Sequence, residues 1–370
     1  MMQCGTVSVG IHIDLLTDDR EEEYEELLLA GRHSLLYASA VYRRFLRRIL
    51  ANGRDRYLLA FESGRMVGAF PTFLCENRTY GNVLNSLPFY GSHGGIITRP
   101  GLSDPYAVKQ TLIEAFRSLA DEESVGASTI ISNPLESDAD FYESHTEYTL
   151  RDERIGQMTS LRPALVDKAG CRDALMALFE PKARQNIRRA QKCGVVVYHS
   201  GSIEALKTLS GMHQENIEAA GGLAKSWEVF AAIRDTFAYD RDYRVYLAES
   251  DGLPAAGLLV FYYNRTAEYF TPAADPRFRN AQPTSLVIFE AMEDAVRRGC
   301  TTWNWGGTWL TQDGVYRFKA RWGTVDYPYF YYVREYGTER RFRRLSRATL
   351  LNEYPYFYTI PFKYLENPEG

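Results

Sequence analysis

Lys319 lies in the segment WNWGGTWLTQDGVYRFKARWGT, Trp303 to Thr324, where tryptophan, glycine and basic residues are unusually dense. A lysine among aromatic rings, partly shielded from water, is suited to stabilising negative charge on a carbonyl oxygen or a leaving group. Trp303 and Trp305 alternate around Asn304, as a strand would place them, and Gly306-Gly307 frees the backbone at the strand's end. Arg317, Lys319 and Arg321 alternate with Phe318 and Trp322. The same pattern also suits a tryptophan-rich core edge with cations reaching out to solvent.

Two other stretches could do chemistry. PKARQNIRRAQKCGV, Pro181 to Val195, opens on a proline and then supplies five cations: Lys182, Arg184, Arg188, Arg189 and Lys192. Arg184 and Arg188 are four residues apart, hence on one helical face, where they could hold phosphates or a nucleic-acid backbone. A solvated basic face is the plainer reading. LPFYGSHGG, Leu87 to Gly95, sets Tyr90 and His93 among three glycines. Backbone in such a loop can approach a ligand closely, and a histidine there could shuttle protons. The same loop could simply need turns of positive φ.

The elements that would position these residues follow from periodicity. Helical spacing covers 20–31, 38–52 and 105–122, the last with Pro105 in its first turn. Residues 56–75 read as two strands joined at Ser63-Gly64, and 127–134 as a short buried strand. The pattern then restarts. A strand is predicted at 156–165, helices on both sides of Pro181, a strand at 195–200, and helices over 202–221 and 225–240. A run of strands follows from 243 with a turn at Asp251-Gly252, then an amphipathic helix over 283–300, then strands near 301–307 and 326–336. Each half therefore reads as one mixed α/β unit. The predicted boundaries are 1–150 and 151–335, followed by a tail, 336–370, rich in arginine (Arg340, Arg341, Arg343, Arg344, Arg347) and then tyrosine.

Composition narrows the classes. A net charge of −4 argues against a general nucleic-acid binder without excluding a local basic groove. The 26 tyrosines suit either substrate grooves or a tyrosine-rich β core. Five scattered cysteines form no CxxC pair, which points to a reduced compartment with no zinc site and no disulfide frame. No metal and no tightly bound cofactor is expected. The first residues lack the charge-then-apolar order of a signal peptide, and no run of about 18 apolar residues could span a bilayer. The chain thus reads as cytoplasmic. GxxxxGK[ST], GxGxxG after a strand, HExxH and GxSxG do not occur, which disfavours nucleotide hydrolysis, dehydrogenase, zinc-protease and esterase chemistry.

Taken in order, LPFYGSHGG, KARQNIRRAQKCGV, QPTSLVIFEAMEDAVRRGC and WNWGGT…GVYRFKARWGT resemble the Fem-type peptidyltransferases and related GNAT-like proteins. The resemblance spans about residues 55–335, and the FK-x-x-W-G motif is its most specific part. It implies an α/β (α+β) chain of two tandem GNAT-like domains, each a mixed, mostly antiparallel sheet flanked by helices. It implies transfer of an acyl or aminoacyl group onto an amine. The donor would be aminoacyl-tRNA, or alternatively acyl-CoA or an acyl carrier protein. The acceptor would be an amine on a small molecule, a peptide or a cell-wall precursor. By resemblance Lys319 is the charge-stabilising lysine, framed by Phe318, Trp322 and Gly323, and Arg184 and Arg188 belong to a phosphate-meeting helix.

Glu268 and Asp313 are candidates to accept a proton, and Tyr269 and Trp305 could wall the acceptor amine. The stretch RFRNAQPT, 277–284, lacks the glycine-rich pyrophosphate loop of a CoA-binding GNAT domain, which disfavours CoA. A degenerate GNAT-like binding module is the non-enzymatic alternative. The tail could rest on anionic lipid or tRNA, or pack back on the first domain.

Overall fold

The computed structural model describes residues 10–88, 93–167 and 170–366. The chain divides into two compact units, Met1–Glu153 with Tyr329–Gly370, and Arg154–Pro328. The first of these divisions falls after Glu153. The chain returns to the first unit at Tyr329, and the tail belongs to that unit.

The first unit begins with β1 (His12–Leu15), α1 (Glu21–Ala30) and α2 (Ala40–Ile49). Ser39 starts α2 by accepting the Tyr42 N–H, one of the donors a helix N-terminus leaves unpaired. Strands β2 (Gly53–Asp55), β3 (Leu58–Glu62), β4 (Arg65–Phe70), β5 (Phe73–Cys75), β6 (Asn82–Asn85) and β7 (Ile97–Thr98) follow. Ser63 and Gly64, at φ 51° and 76°, form the tight β3–β4 turn. Then come α3 (Pro105–Glu122), β8 (Val125–Ile131) and α4 (Ala139–His145). Helix α3 is capped by Asp104 and buries Val108, Leu112, Ile113 and Phe116. It lies so close to β4 that a Cβ at Gly68 would meet Val108 at 2.6 Å. One sheet has the order β1-β3-β4-β7 and is antiparallel throughout.

The second unit contains the end of β9 (Leu150–Ser160), then α5 (Arg162–Leu165), α6 (Cys171–Leu178), α7 (Pro181–Lys192), β10 (Val196–His199), α8 (Ile203–Ala219) and α9 (Trp227–Thr236). The meander β11 (Tyr243–Ser250), β12 (Leu253–Tyr263) and β13 (Thr266–Ala274) follows. Its first turn uses Asp251 and Gly252, both at positive φ. Next are α10 (Pro283–Arg297), β14 (Thr302–Trp309), α11 (Asp313–Ala320) and the start of β15 (Thr324–Glu335). The strand order in this unit is β10-β11-β12-β13-β14-β9. All pairs are antiparallel except β13–β14, which is parallel with α10 as its crossover. Helix α10 is buried nearly all round, through Leu286, Val287, Ile288, Phe289 and Met292. It forms one core with α6, α7, β12 and Trp303, Trp305 and Trp322.

The rest of β15 pairs with β8 in the first unit, and the tail follows with α12 (Arg347–Glu353). Phe342, Leu350, Tyr354 and Ile360 of the tail are buried against Cys75, Val83, Ala127, Leu150 and Val333. Arg343 is paired with Glu335, and Arg341 donates to the Tyr80 carbonyl. The tail arginines are thus partly engaged with the protein's own surface.

Lys319 sits in the last turn of α11, and the rings of Phe318 and Trp322 lie 6.3 Å apart, centre to centre. One local expectation differs. The strand predicted over 156–165 ends at Ser160, where Pro163 and the preceding residue turn into α5.

Candidate active site

Burial sets the chemistry of Lys319. The residue is 6% exposed, and burial lowers its ammonium pKa from 10.5 to about 8. Its Nζ donates to the Gly307 carbonyl at 3.2 Å and to Thr308 Oγ1 at 2.9 Å. Thr308 in turn donates to Gln157 Oε1 at 3.2 Å. Gln157, fully buried on β9, reaches with its Nε2 toward the Tyr316 carbonyl and Thr324 Oγ1, both at 3.4 Å. A buried polar chain therefore holds the lysine by groups on β14, β9 and α11.

An aromatic cluster gathers the residues on either side of Lys319 in sequence with β13 and β14. Trp305 lies 4.9 Å from Tyr269, 5.7 Å from Trp322 and 6.4 Å from Phe318, ring centre to ring centre. Trp305 Nε1 donates to Thr159 Oγ1 at 3.0 Å, and Thr159 donates to the Trp322 carbonyl at 2.9 Å. Gly323 has φ +70°, and a Cβ there would meet the Leu178 carbonyl at 2.6 Å. Together with the Glu180 N–H donated to the Arg321 carbonyl, this contact seats the end of α11 against the turn before α7.

Strands β13 and β14 pair only from Thr266·Thr302 to Glu268·Asn304. Beyond that rung they part. Both strands are irregular there: β14 shifts register against β9 between Asn304 and Gly307, and β13 against β12 opposite Leu259/Val260. The end of β13 is held instead by Asn216 of α8, whose side chain exchanges two 2.8 Å hydrogen bonds with the Ala274 backbone. Past that rung the facing backbone groups of the two strands are not paired with one another in a ladder.

The structure thus gathers Phe318, Trp322, Trp305 and Tyr269 beside the segment that carries Lys319, while Glu268, 1% exposed, lies on the last rung of the β13–β14 ladder and faces the other side of the sheet. Asp313 is not with them. It begins α11 with its side chain 77% exposed and pairs with Arg317 at 3.5 Å, because the helix turns it away from the buried face carrying Lys319. Arg184 and Arg188 lie on α7, the former half-buried and the latter exposed. His93 is buried in the first unit, edge-on to Tyr37 and Tyr329. Tyr90 lies outside the described residues. Sequence reasoning missed Gln157, Thr159 and Thr308. Gln157 and Thr159 are two polar residues two apart on a buried strand, and that spacing was the available signal.

Residues 180–320 match the family model of the acetyltransferase (GNAT) domain, which spans α7 to Lys319 and beyond it by one residue. No curated protein matches the chain in sequence. Among solved structures the fold is similar to FemX, with a TM-score of 0.69 at 16% identity over 86% of this chain and 96% of that one. It is similar to a tandem GNAT protein from the clavulanic acid biosynthesis pathway, with a TM-score of 0.53 at 14% identity over 89% and 100% of the two chains. A conserved protein of unknown function from Bacteroides thetaiotaomicron gives a TM-score of 0.55 at 12% identity over 87% and 99%. The stretch that matches the GNAT domain model lies within the second unit. In fold, the whole chain is similar to FemX and to a tandem GNAT protein.

Proposed function

We propose that the protein transfers an acyl or aminoacyl group from an activated carrier to an amine, and that Lys319 stabilises the charge that develops. The observation that carries this reading is a buried ammonium, held by the Gly307 carbonyl and Thr308 just past the rung where parallel strands β13 and β14 cease to pair, within the stretch that matches the GNAT domain model. When an amine attacks an ester or thioester carbonyl, negative charge appears on the carbonyl oxygen and then on the leaving atom. A fixed cation in a dry setting is worth most at that moment. Holding both reactants in register lowers the barrier further. Glu268 accepts the proton that the amine sheds, directly or through water.

For the donor, aminoacyl-tRNA is the reading we favour. Helix α7 has five cations and no carboxylate, and none of Arg184, Arg188, Arg189 and Lys192 has an acidic partner among the described residues. Lys182, Arg188, Arg189 and Lys192 are exposed. An uncompensated cationic face of this kind suits a polyphosphate backbone. The segment before α10 is a 3-10 turn, Pro276–Ala281, ending on Gln282 at φ 59°, where a CoA-binding domain would carry a glycine-rich loop. The acceptor is an amine-bearing small molecule, peptide or cell-wall precursor.

The test is a donor assay with purified protein, offering radiolabelled aminoacyl-tRNA, acyl-CoA and acyl carrier protein with a panel of amines. Transfer from charged tRNA alone is the expected result. Transfer from a thioester alone would assign the chain to N-acylation from CoA or a carrier protein. Inertness toward all three would leave a binding module.

A further inference from the structure

At and past their last shared rung, β13 and β14 carry polar groups on the face opposite the cluster of Trp303, Trp305 and Trp322. Leu258 and Val260 of β12 belong to the core around α10, and Gly257 faces Leu209 and Met212 of α8, so alternate residues point to opposite sides. Glu268 stands opposite Phe261 and Asn304, and Thr271 opposite Leu259. Glu268, Thr271 and Asn304 therefore share the α8 side. All three are buried, at 1%, 0% and 0% exposure.

Two of their polar atoms are unused. Asn304 Oδ1 accepts the Gly306 N–H at 2.9 Å, which fixes the amide so that Nδ2 points the other way. That Nδ2 and Thr271 Oγ1 are buried with no hydrogen-bond partner among the described residues. Leaving a buried donor unpaired is costly, so such groups call for an explanation. Nδ2 can only donate, and so it awaits an oxygen; a hydroxyl can donate or accept; a carboxylate accepts. Acceptor, donor and donor/acceptor are thus gathered where the β13–β14 ladder ends.

We propose that this is the acceptor seat and that it selects an α-amino carbonyl compound, an amino acid or the amino terminus of a peptide. The amine meets Glu268 and Thr271, and the neighbouring carbonyl oxygen accepts the Asn304 Nδ2–H. This inference rests on the acyl-transfer reading above. The ligand enters between β13 and β14, past the rung where they cease to pair. The amine nitrogen forms the new C–N bond, the acyl carbon's bond to the carrier oxygen or sulfur breaks, and the amine's proton passes by way of Glu268 to the departing atom. Asn304 and Thr271 are positioning residues in this step. An amine without a neighbouring carbonyl would leave Asn304 Nδ2 still unpaired, and a site built around a hydrogen bond discriminates strongly against ligands that cannot make it.

The experiment compares glycinamide with ethylamine as acceptors. Asn304→Asp keeps the acceptor for the Gly306 N–H and removes the donor; Asn304→Leu removes both. In each folded variant the ratio of kcat/KM for glycinamide over ethylamine should fall about tenfold or more, mostly through KM. An unchanged ratio would overturn the proposal, because a merely structural asparagine would affect both amines alike. Titration of the wild type and Asn304→Asp with the two amines alone, followed by NMR, needs no donor. Tighter glycinamide binding that is lost in the variant supports the seat even if no donor supports transfer. Equal binding of both amines to the wild type sinks it even if transfer is established.

Discussion

Lys319 has to remain charged to stabilise an oxyanion, yet its burial brings its pKa down to about 8. Activity should therefore fall above about pH 8 as the ammonium is lost, and Lys319→Arg, which stays charged, should not show that limb. A pH profile of kcat on both proteins checks this. The same shift has a stability consequence. The unfolded lysine keeps its proton to about 10.5 and the folded one only to about 8, so between these values the unfolded chain binds more protons. The cost of burial is fully present below pH 8 and is relieved as pH rises toward 10.5. Lys225, also buried and lowered to about 8, acts in the same window, so the difference between wild type and Lys319→Met in urea midpoints across pH isolates Lys319. For chemistry, Lys319→Ala should cost about 10²–10³ in kcat, as the loss of an oxyanion donor does elsewhere, with circular dichroism unchanged. Turnover near the wild-type rate would remove the lysine from the mechanism.

Helices α11 and α7 do their work as elements. Helix α11 is short and largely exposed, and its position depends on the Gly323 turn and the contact with Leu178. Gly323→Ala should destabilise the protein by about 1–3 kcal/mol, through left-handed backbone and the collision with the Leu178 carbonyl. Chemical denaturation measures that, and a kcat loss in the surviving folded protein would report displacement of Lys319. Helix α7 buries Ala183, Ile187 and Ala190 and leaves its cations outside, so charge reversal there should spare the fold. Arg188→Glu with Arg189→Glu should weaken tRNA binding and flatten its salt dependence by roughly one unit of slope per lost phosphate contact, at unchanged melting temperature. Unchanged binding and slope would place the donor's phosphates elsewhere.

At the scale of the molecule, the tail is part of the first unit's core. Phe342 packs so closely on β8 that a Cβ at Gly126 would come within 2.7 Å of it. Phe342→Ala should cost about 3–5 kcal/mol in a denaturant titration, and truncation at Gly337 should expose Cys75, Val83 and Val333 and cause aggregation. A truncated chain that stays monomeric and fully stable, but no longer binds liposomes or tRNA, would instead make the tail a docking arm. Among the described residues no helix is long and apolar enough to cross a membrane. Local chemistry was legible in the chain itself: Pro105 at the head of α3, Ser63-Gly64 and Asp251-Gly252 at hairpin turns, and the basic run of α7 are short-range signals, decided within a few residues. The crowding of aromatic residues near Lys319 was equally legible. Only the tertiary structure decided that 317–320 is helical, that Asp313 faces solvent, that Gln157 and Thr159 hold the site from β9, and that β13 and β14 part at Glu268·Asn304. Those features depend on strand pairing between residues more than a hundred positions apart and on which buried groups find partners, and neither is written in the spacing of neighbouring residues.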